Sequence, residues 1–138
     1  MTQAATLTQQ QLQRVLEYTR TRRHYKRNRA IILLTHYAML RVGEVAALRY
    51  CDVLEADGQI KAETALSAAQ TKGKFPRTVF VSQRLQTELA NYLATRYITN
   101  PDIPFFHTDH RLGFTPNGLC VWFYQLYKNV GISGGSSH

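Results

Sequence analysis

Apolar positions along the chain recur mostly with helical spacing. Leu12, Val15 and Leu16 fall on one helical face. Thr8, followed three residues later by Gln11, supplies a capping-box spacing that starts this helix. Residues 28–39 are apolar on most sides through Ile31, Ile32, Leu33, Leu34 and Tyr37, which predicts a helix central to its domain. Gly43 opens a short helix with Glu44 in its first turn and Val45 and Leu48 on its apolar side. The pattern then changes. Asp57-Gly58 is a hairpin-type turn signal, and residues 59–81 read as a small β-structure. It has a turn at residues 71–74 and a strand at residues 78–81. Leu85, Leu89, Tyr92 and Leu93 mark a third long helix over residues 83–97. Residues 98–114, with Pro101 and Pro104, form a loop. Thr115-Pro116 is an N-cap followed by proline at the first helical position. Leu119, Trp122, Phe123, Leu126 and Val130 carry the last helix, and Gly131 stops it. Helices, a short antiparallel sheet, then helices make the fold α+β and mainly helical, with no boundary for a second domain.

Composition narrows the function classes. The 138 residues fit one domain, and an apolar fraction of 44% supplies a core, so a globally disordered chain is excluded. The longest strongly apolar stretch is the five residues 30–34, far short of the span of about 20 that a membrane requires. Met-Thr-Gln-Ala-Ala at the N-terminus shows no signal-peptide pattern. Cys51 and Cys120 stand apart without a Cys-x-x-Cys spacing. One disulfide between them is open from sequence, but two free, partly buried thiols in a reducing cytoplasm fit better. Formal charge is +8 and unevenly placed: Arg20, Arg22, Arg23, Lys26, Arg27 and Arg29 contribute six, leaving +2 elsewhere. Such a block points to a polyanion, nucleic acid foremost. Its plain structural reading is a solvated basic surface. It lacks the Trp/Phe/Leu face that would enter lipid, so no membrane partner is expected. His107-x-x-His110 falls in the loop without a Cys or Asp/Glu partner set, so no metal is expected.

The stretch Ala38-Met-Leu-Arg41-Val-Gly-Glu44-Val-Ala-Ala-Leu48-Arg-Tyr-Cys-Asp52-Val53 resembles the first conserved box of the tyrosine recombinases, the phage-integrase type of site-specific DNA recombinase. Met39 stands where that family usually has glycine. Leu7-Thr8 resembles the start of the family's catalytic domain. Thr71-Lys72-Gly73-Lys74, followed by Arg77-Thr-Val-Phe-Val81, resembles its β-hairpin lysine segment. Residues 85–93 resemble the next helix, and Pro104-Phe105-Phe106 with residues 115–132 resemble the stretch before the second box. Ser136-Ser137-His138 resembles the opening of that box, His-x-x-Arg. The resemblance implies a tyrosine-recombinase catalytic-domain fold. Residues 1–138 would be a partial catalytic domain without a core-binding domain. The second-box arginine, the later His or Trp and the nucleophilic tyrosine would lie beyond His138.

In that family a tyrosine attacks a DNA phosphate without a metal and forms a 3′-phosphotyrosyl link. Two arginines neutralise the phosphate oxygens, and the lysine protonates the leaving 5′-oxygen. The resemblance makes Arg41 the first arginine, Lys72 the general acid and His138 the second-box histidine, with Glu44 supporting Arg41. A planar guanidinium grips two phosphate oxygens, and a flexible ammonium delivers a proton. Lys74 and Arg77 join the basic block as candidate DNA contacts. Double-stranded DNA is the expected partner, and no cofactor is implied.

Each assignment has a structural alternative. Arg41 can bridge to Glu44 three residues on. Lys72 can be a solvated turn lysine, with Lys74 its rival. Glu44 can be only a first-turn carboxylate. His138 follows a Gly/Ser-rich stretch. Tyr124 and Tyr127 precede the second box and offer no substitute nucleophile, and Tyr127 and Trp122 read as helix aromatics. The expectation is a recombinase fragment inactive by itself. The alternatives are a non-catalytic DNA-binding or interaction module, and a relic whose exposed apolar patch favours self-association.

Overall fold

The computed structural model describes residues 7–71, 73–97, 100–108 and 113–132. Helix α1 spans Gln9–Thr19, α2 Tyr25–Tyr37, α3 Val42–Ala47 and α4 Tyr50–Val53. Strands β1, Glu63–Leu66, and β2, Arg77–Phe80, enclose a 3-10 turn at Ala68–Gln70. Helices α5, Gln83–Leu93, and α6, Pro116–Val130, follow. The architecture is mainly helical with one small antiparallel sheet, as the sequence pattern predicts. Among the described residues, no helix is long and apolar enough to cross a membrane.

Local chemistry explains most element ends. The Thr8 hydroxyl accepts from the Gln11 amide at 3.1 Å, and the Gln11 side chain accepts from the Thr8 amide at 2.9 Å. These reciprocal bonds satisfy two donors that a helix start otherwise leaves open. Helix α1 then buries Leu12, Val15, Leu16 and Thr19. Thr115 caps α6 through the Gly118 amide at 2.9 Å, and Gly131 ends it at φ 86°. That left-handed geometry is cheap for glycine. Arg14 ties α1 to α6 by donating to the Val130 carbonyl at 2.7 Å.

Several helix limits differ from expectation, α3 among them, which starts at Val42 with Arg41 as its N-cap. Helix α2 starts at Tyr25, three residues early, because His24 turns the chain at φ 58° without a side-chain cap. It ends at Tyr37 because Met39 adopts φ 59°, outside the helical region. Helix α5 stops at Leu93, short of residue 97, and α4 was not anticipated.

Helix α2 is the central element. It buries Ala30, Ile31, Ile32, Leu33 and Leu34 and packs against α1, α3 and α5. In the hairpin, Glu63 faces Phe80, Thr64 faces Val79 and Leu66 faces Arg77. Thr64, Leu66 and Val79 point inward, whereas Glu63, Ala65 and Phe80 are exposed. The loop after α5 docks Phe105 and Phe106 against Tyr92 and places Phe105 beside Tyr50, with ring centroids 4.9–5.3 Å apart within the set. Tyr92 closes the cluster by donating its hydroxyl to the Phe105 carbonyl at 2.8 Å.

Candidate phosphate-binding site

Where α2 hands over to α3, the turn carrying Arg41 and Glu44 meets Arg77, 33 residues further along the chain. After the left-handed turn at Met39, Leu40 is buried and Arg41 takes an extended conformation as the N-cap of α3. Glu44, the third residue of α3, is only 1% exposed. Its Oε1 accepts from the Arg41 backbone amide at 3.0 Å and from Arg77 Nη2 at 2.9 Å. Arg77 enters from the start of β2, and the same Nη2 reaches the Met39 carbonyl at 3.3 Å. Its side chain is 38% exposed.

The charges do not balance. Two guanidinium groups lie beside one carboxylate, and only that of Arg77 bonds it. Among the described residues, Arg41 Nε, Arg77 Nε and Glu44 Oε2 are buried without a hydrogen-bond partner. Unmade bonds on buried cationic donors are costly and are relieved by an acceptor anion. Guanidinium donors suit a phosphate oxygen in shape and charge. Glu44 therefore fixes Arg41 through the backbone. Its ion pair is with Arg77.

Neighbouring contacts fix the hairpin relative to this cluster. Asp52 accepts from the Arg49 amide at 2.9 Å and from Gln70 Nε2 at 2.8 Å. Gln70 Nε2 also donates to the Ala47 carbonyl at 3.1 Å, so one side chain bridges the end of α3 to the hairpin. The Thr71 hydroxyl accepts from the Phe75 amide and donates to its carbonyl, closing the turn. Lys74 is exposed in that turn at φ 59°. Lys72 and His138 lie outside the described residues, as does His110. Gln70 and Asp52 were not among the site residues expected from sequence. Asp52 did carry a signal, the same three-residue capping spacing from Arg49 that Glu44 shows from Arg41.

The basic block divides. Arg20, Arg22, Arg23 and Lys26 are exposed. Arg20 pairs with Glu17 at 3.1 Å, and Arg22 lies 4.6 Å over the Tyr18 ring. Arg27 and Arg29 face structural partners. Arg27 donates to the His107 carbonyl at 2.8 Å and to Asn28 Oδ1 at 2.9 and 3.0 Å. Arg29 grips Glu88 with two bonds of 2.8 and 3.0 Å. That hydrogen-bonded carboxylate raises the Arg29 pKa above its ordinary value, against the opposing effect of burial.

His107 is also occupied. Its Nε2 donates to the Pro104 carbonyl at 2.7 Å, and its Nδ1 contacts Arg96. Burial, then the Arg96 charge, lowers its pKa. Among the described residues, no group of three or more His, Cys, Asp or Glu side chains could hold a metal ion. Cys51 and Cys120 are free and half-buried.

The phage integrase family model matches residues 5–113. Transposase A from transposon Tn554 of Staphylococcus aureus is 34% identical over 77 residues, covering 54% of this chain and 21% of that protein. A crystal structure of XerA recombinase superposes with a TM-score of 0.72 at 20% identity, covering 99% of this chain and 46% of that one. The Tn1549 transposon integrase, solved in complex with circular intermediate DNA, superposes with a TM-score of 0.64 at 16% identity. That match covers 100% of this chain and 48% of the integrase chain. The chain thus spans less than half the length of the solved structures it resembles.

Proposed function

This chain belongs to the phage integrase family, and from that premise we propose that it forms the first-box part of a DNA recombinase's catalytic domain. In this reading Arg41 grips a backbone phosphate, and Lys72 protonates the leaving 5′-oxygen during DNA breakage and rejoining. His138 is the second-box histidine. The observation that carries the proposal is the cluster of Arg41, Glu44 and Arg77. It holds one more cation than anion and leaves Arg41 Nε buried without a partner. A DNA phosphate brings both the missing charge and the missing acceptors. Solved complexes of the Tn1549 transposon integrase with DNA support DNA as the partner.

Residues 1–138 by themselves are proposed not to complete strand transfer. Tyr92 and Tyr127 are buried, which keeps them from a DNA phosphate, and burial pushes the Tyr127 phenol up to about 12 and Tyr92 in the same direction. The two free, half-buried cysteines fit a cytoplasmic setting.

The test is anisotropy binding of a short labelled duplex at roughly 50 and 200 mM salt, where phosphate-driven affinity changes steeply. We expect binding at low salt that weakens with added salt, and a loss of about tenfold in Arg41→Ala. A salt-insensitive affinity, or an Arg41→Ala variant that binds like the wild type, would overturn the proposal. A second reading, a non-catalytic DNA-binding module, rests on the exposure of Arg20, Arg22, Arg23 and Lys26. Binding that depends on those four and is indifferent to Arg41 would favour it.

A further inference from the structure

We propose that Arg77 is a positioning residue for Arg41: by occupying the Glu44 carboxylate, it leaves the Arg41 guanidinium free for a phosphate. The inference deepens the reading above and rests on it. Arg77 would act without touching DNA, through one buried carboxylate.

Glu44 is 1% exposed and needs a cation. Two arginines compete for it, one three residues away on the same turn and one 33 residues away on β2. The distant one holds it. Arg77 Nη2 lies 2.9 Å from Oε1, while Arg41 gives that oxygen only its backbone N–H at 3.0 Å. Nη2 has a second hydrogen, which reaches the Met39 carbonyl at 3.3 Å. One guanidinium nitrogen thereby spans both sides of the turn that presents Arg41. Were Arg77 absent, Glu44 would be a buried carboxylate with only the Arg41 amide on Oε1 and no partner on Oε2. The nearest cation in sequence is Arg41, whose Nε already lies buried and unpaired. An Arg41 so captured would be neutralised before any DNA arrived. Lys74, exposed in the turn before β2, remains a candidate DNA contact, whereas Arg77 is half-buried with its Nη2 held on Glu44.

The test compares duplex binding of Arg41 and Arg41→Ala proteins in three backgrounds: wild type, Arg77→Met, and Arg77→Met with Glu44→Gln. Each is measured well below its own melting temperature, checked by circular dichroism. The ratio of the two affinities isolates the Arg41 contribution and cancels the general effect of losing a surface charge. In the wild-type background the ratio should be about ten. In Arg77→Met it should fall to about one, because Glu44 captures Arg41. In the double variant it should recover, because glutamine still accepts the Arg41 amide but holds no charge. That variant also leaves no unpaired buried carboxylate to unfold the protein. A ratio that survives Arg77→Met, or one that fails to recover in a folded double variant, overturns the role of Arg77 alone. A ratio of about one in the wild type overturns the phosphate role of Arg41, and this inference with it.

Discussion

The basic block of residues 20–29 and the Arg41 cluster are both arginine-rich, yet they use arginine in opposite ways. In the block, charge is dense but partly committed. Arg29 is clamped on Glu88, Arg27 on a carbonyl and an amide, and Arg20 on Glu17. In the cluster, charge is sparse but under-compensated, with two arginines to one carboxylate and only Arg77 bonded to it through its side chain. Counting cations along a sequence therefore misses which of them are already paired, and it misses unmade bonds such as that of Arg41 Nε.

The sharpest way to break this contrast is Glu44→Ala. It removes the acceptor for the Arg41 amide and the partner of Arg77 together. Leaving those donors open should cost about 2–4 kcal/mol, read as a lower urea midpoint. In the block, Arg20→Ala, Arg22→Ala and Arg23→Ala should each stay within about 0.5 kcal/mol of wild type, as exposed substitutions usually do. Equal costs in the two regions would erase the distinction.

Arg29→Ala tests the block's committed half. The Arg29 and Glu88 side chains are only 25% and 16% exposed, and the two bonds are near-ideal in length. A double-mutant cycle with Glu88→Ala should return a coupling of about 1–2 kcal/mol, above that of an exposed pair. A coupling near zero would make Arg29 as available to DNA as its exposed neighbours.

What the sequence made legible was local. Thr8 with Gln11, Thr115-Pro116, Asp57-Gly58 and Gly131 encode their turns and caps within a few residues, and the structure places each as expected. The small β-structure over residues 59–81 and its strand at 78–81 were legible too, while the partner strand Glu63–Leu66 was not predicted. What escaped was long-range or left-handed. No spacing rule links Arg77 to Glu44 across 33 residues, so Arg77 reads as one more basic residue until the hairpin docks. Arg27 and Arg29 likewise meet partners 80 and 59 residues away. His24 starts α2 with a left-handed turn, where a Ser, Thr, Asp or Asn cap would have signalled it.

Met39 is the smallest of these effects and the cleanest to measure. The resemblance marks it as standing in a glycine position, and the structure gives the physical reason, a φ of 59°. An L-residue pays roughly 1 kcal/mol for that conformation, and glycine does not. The Met39 side chain is 49% exposed, so little packing is lost on removing it. Glycine also loosens the unfolded chain, which offsets part of the gain. Met39→Gly should therefore stabilise the protein by a net ~0.5 kcal/mol, seen as a small rise in urea midpoint at unchanged slope. The turn carries the carbonyl that Arg77 holds, so the Arg41 contribution to duplex binding should not change. A loss of stability would mean that the exposed methionine packs more than its accessibility suggests. A changed Arg41 contribution would mean that the turn's stiffness, as well as Glu44's charge, governs where Arg41 points.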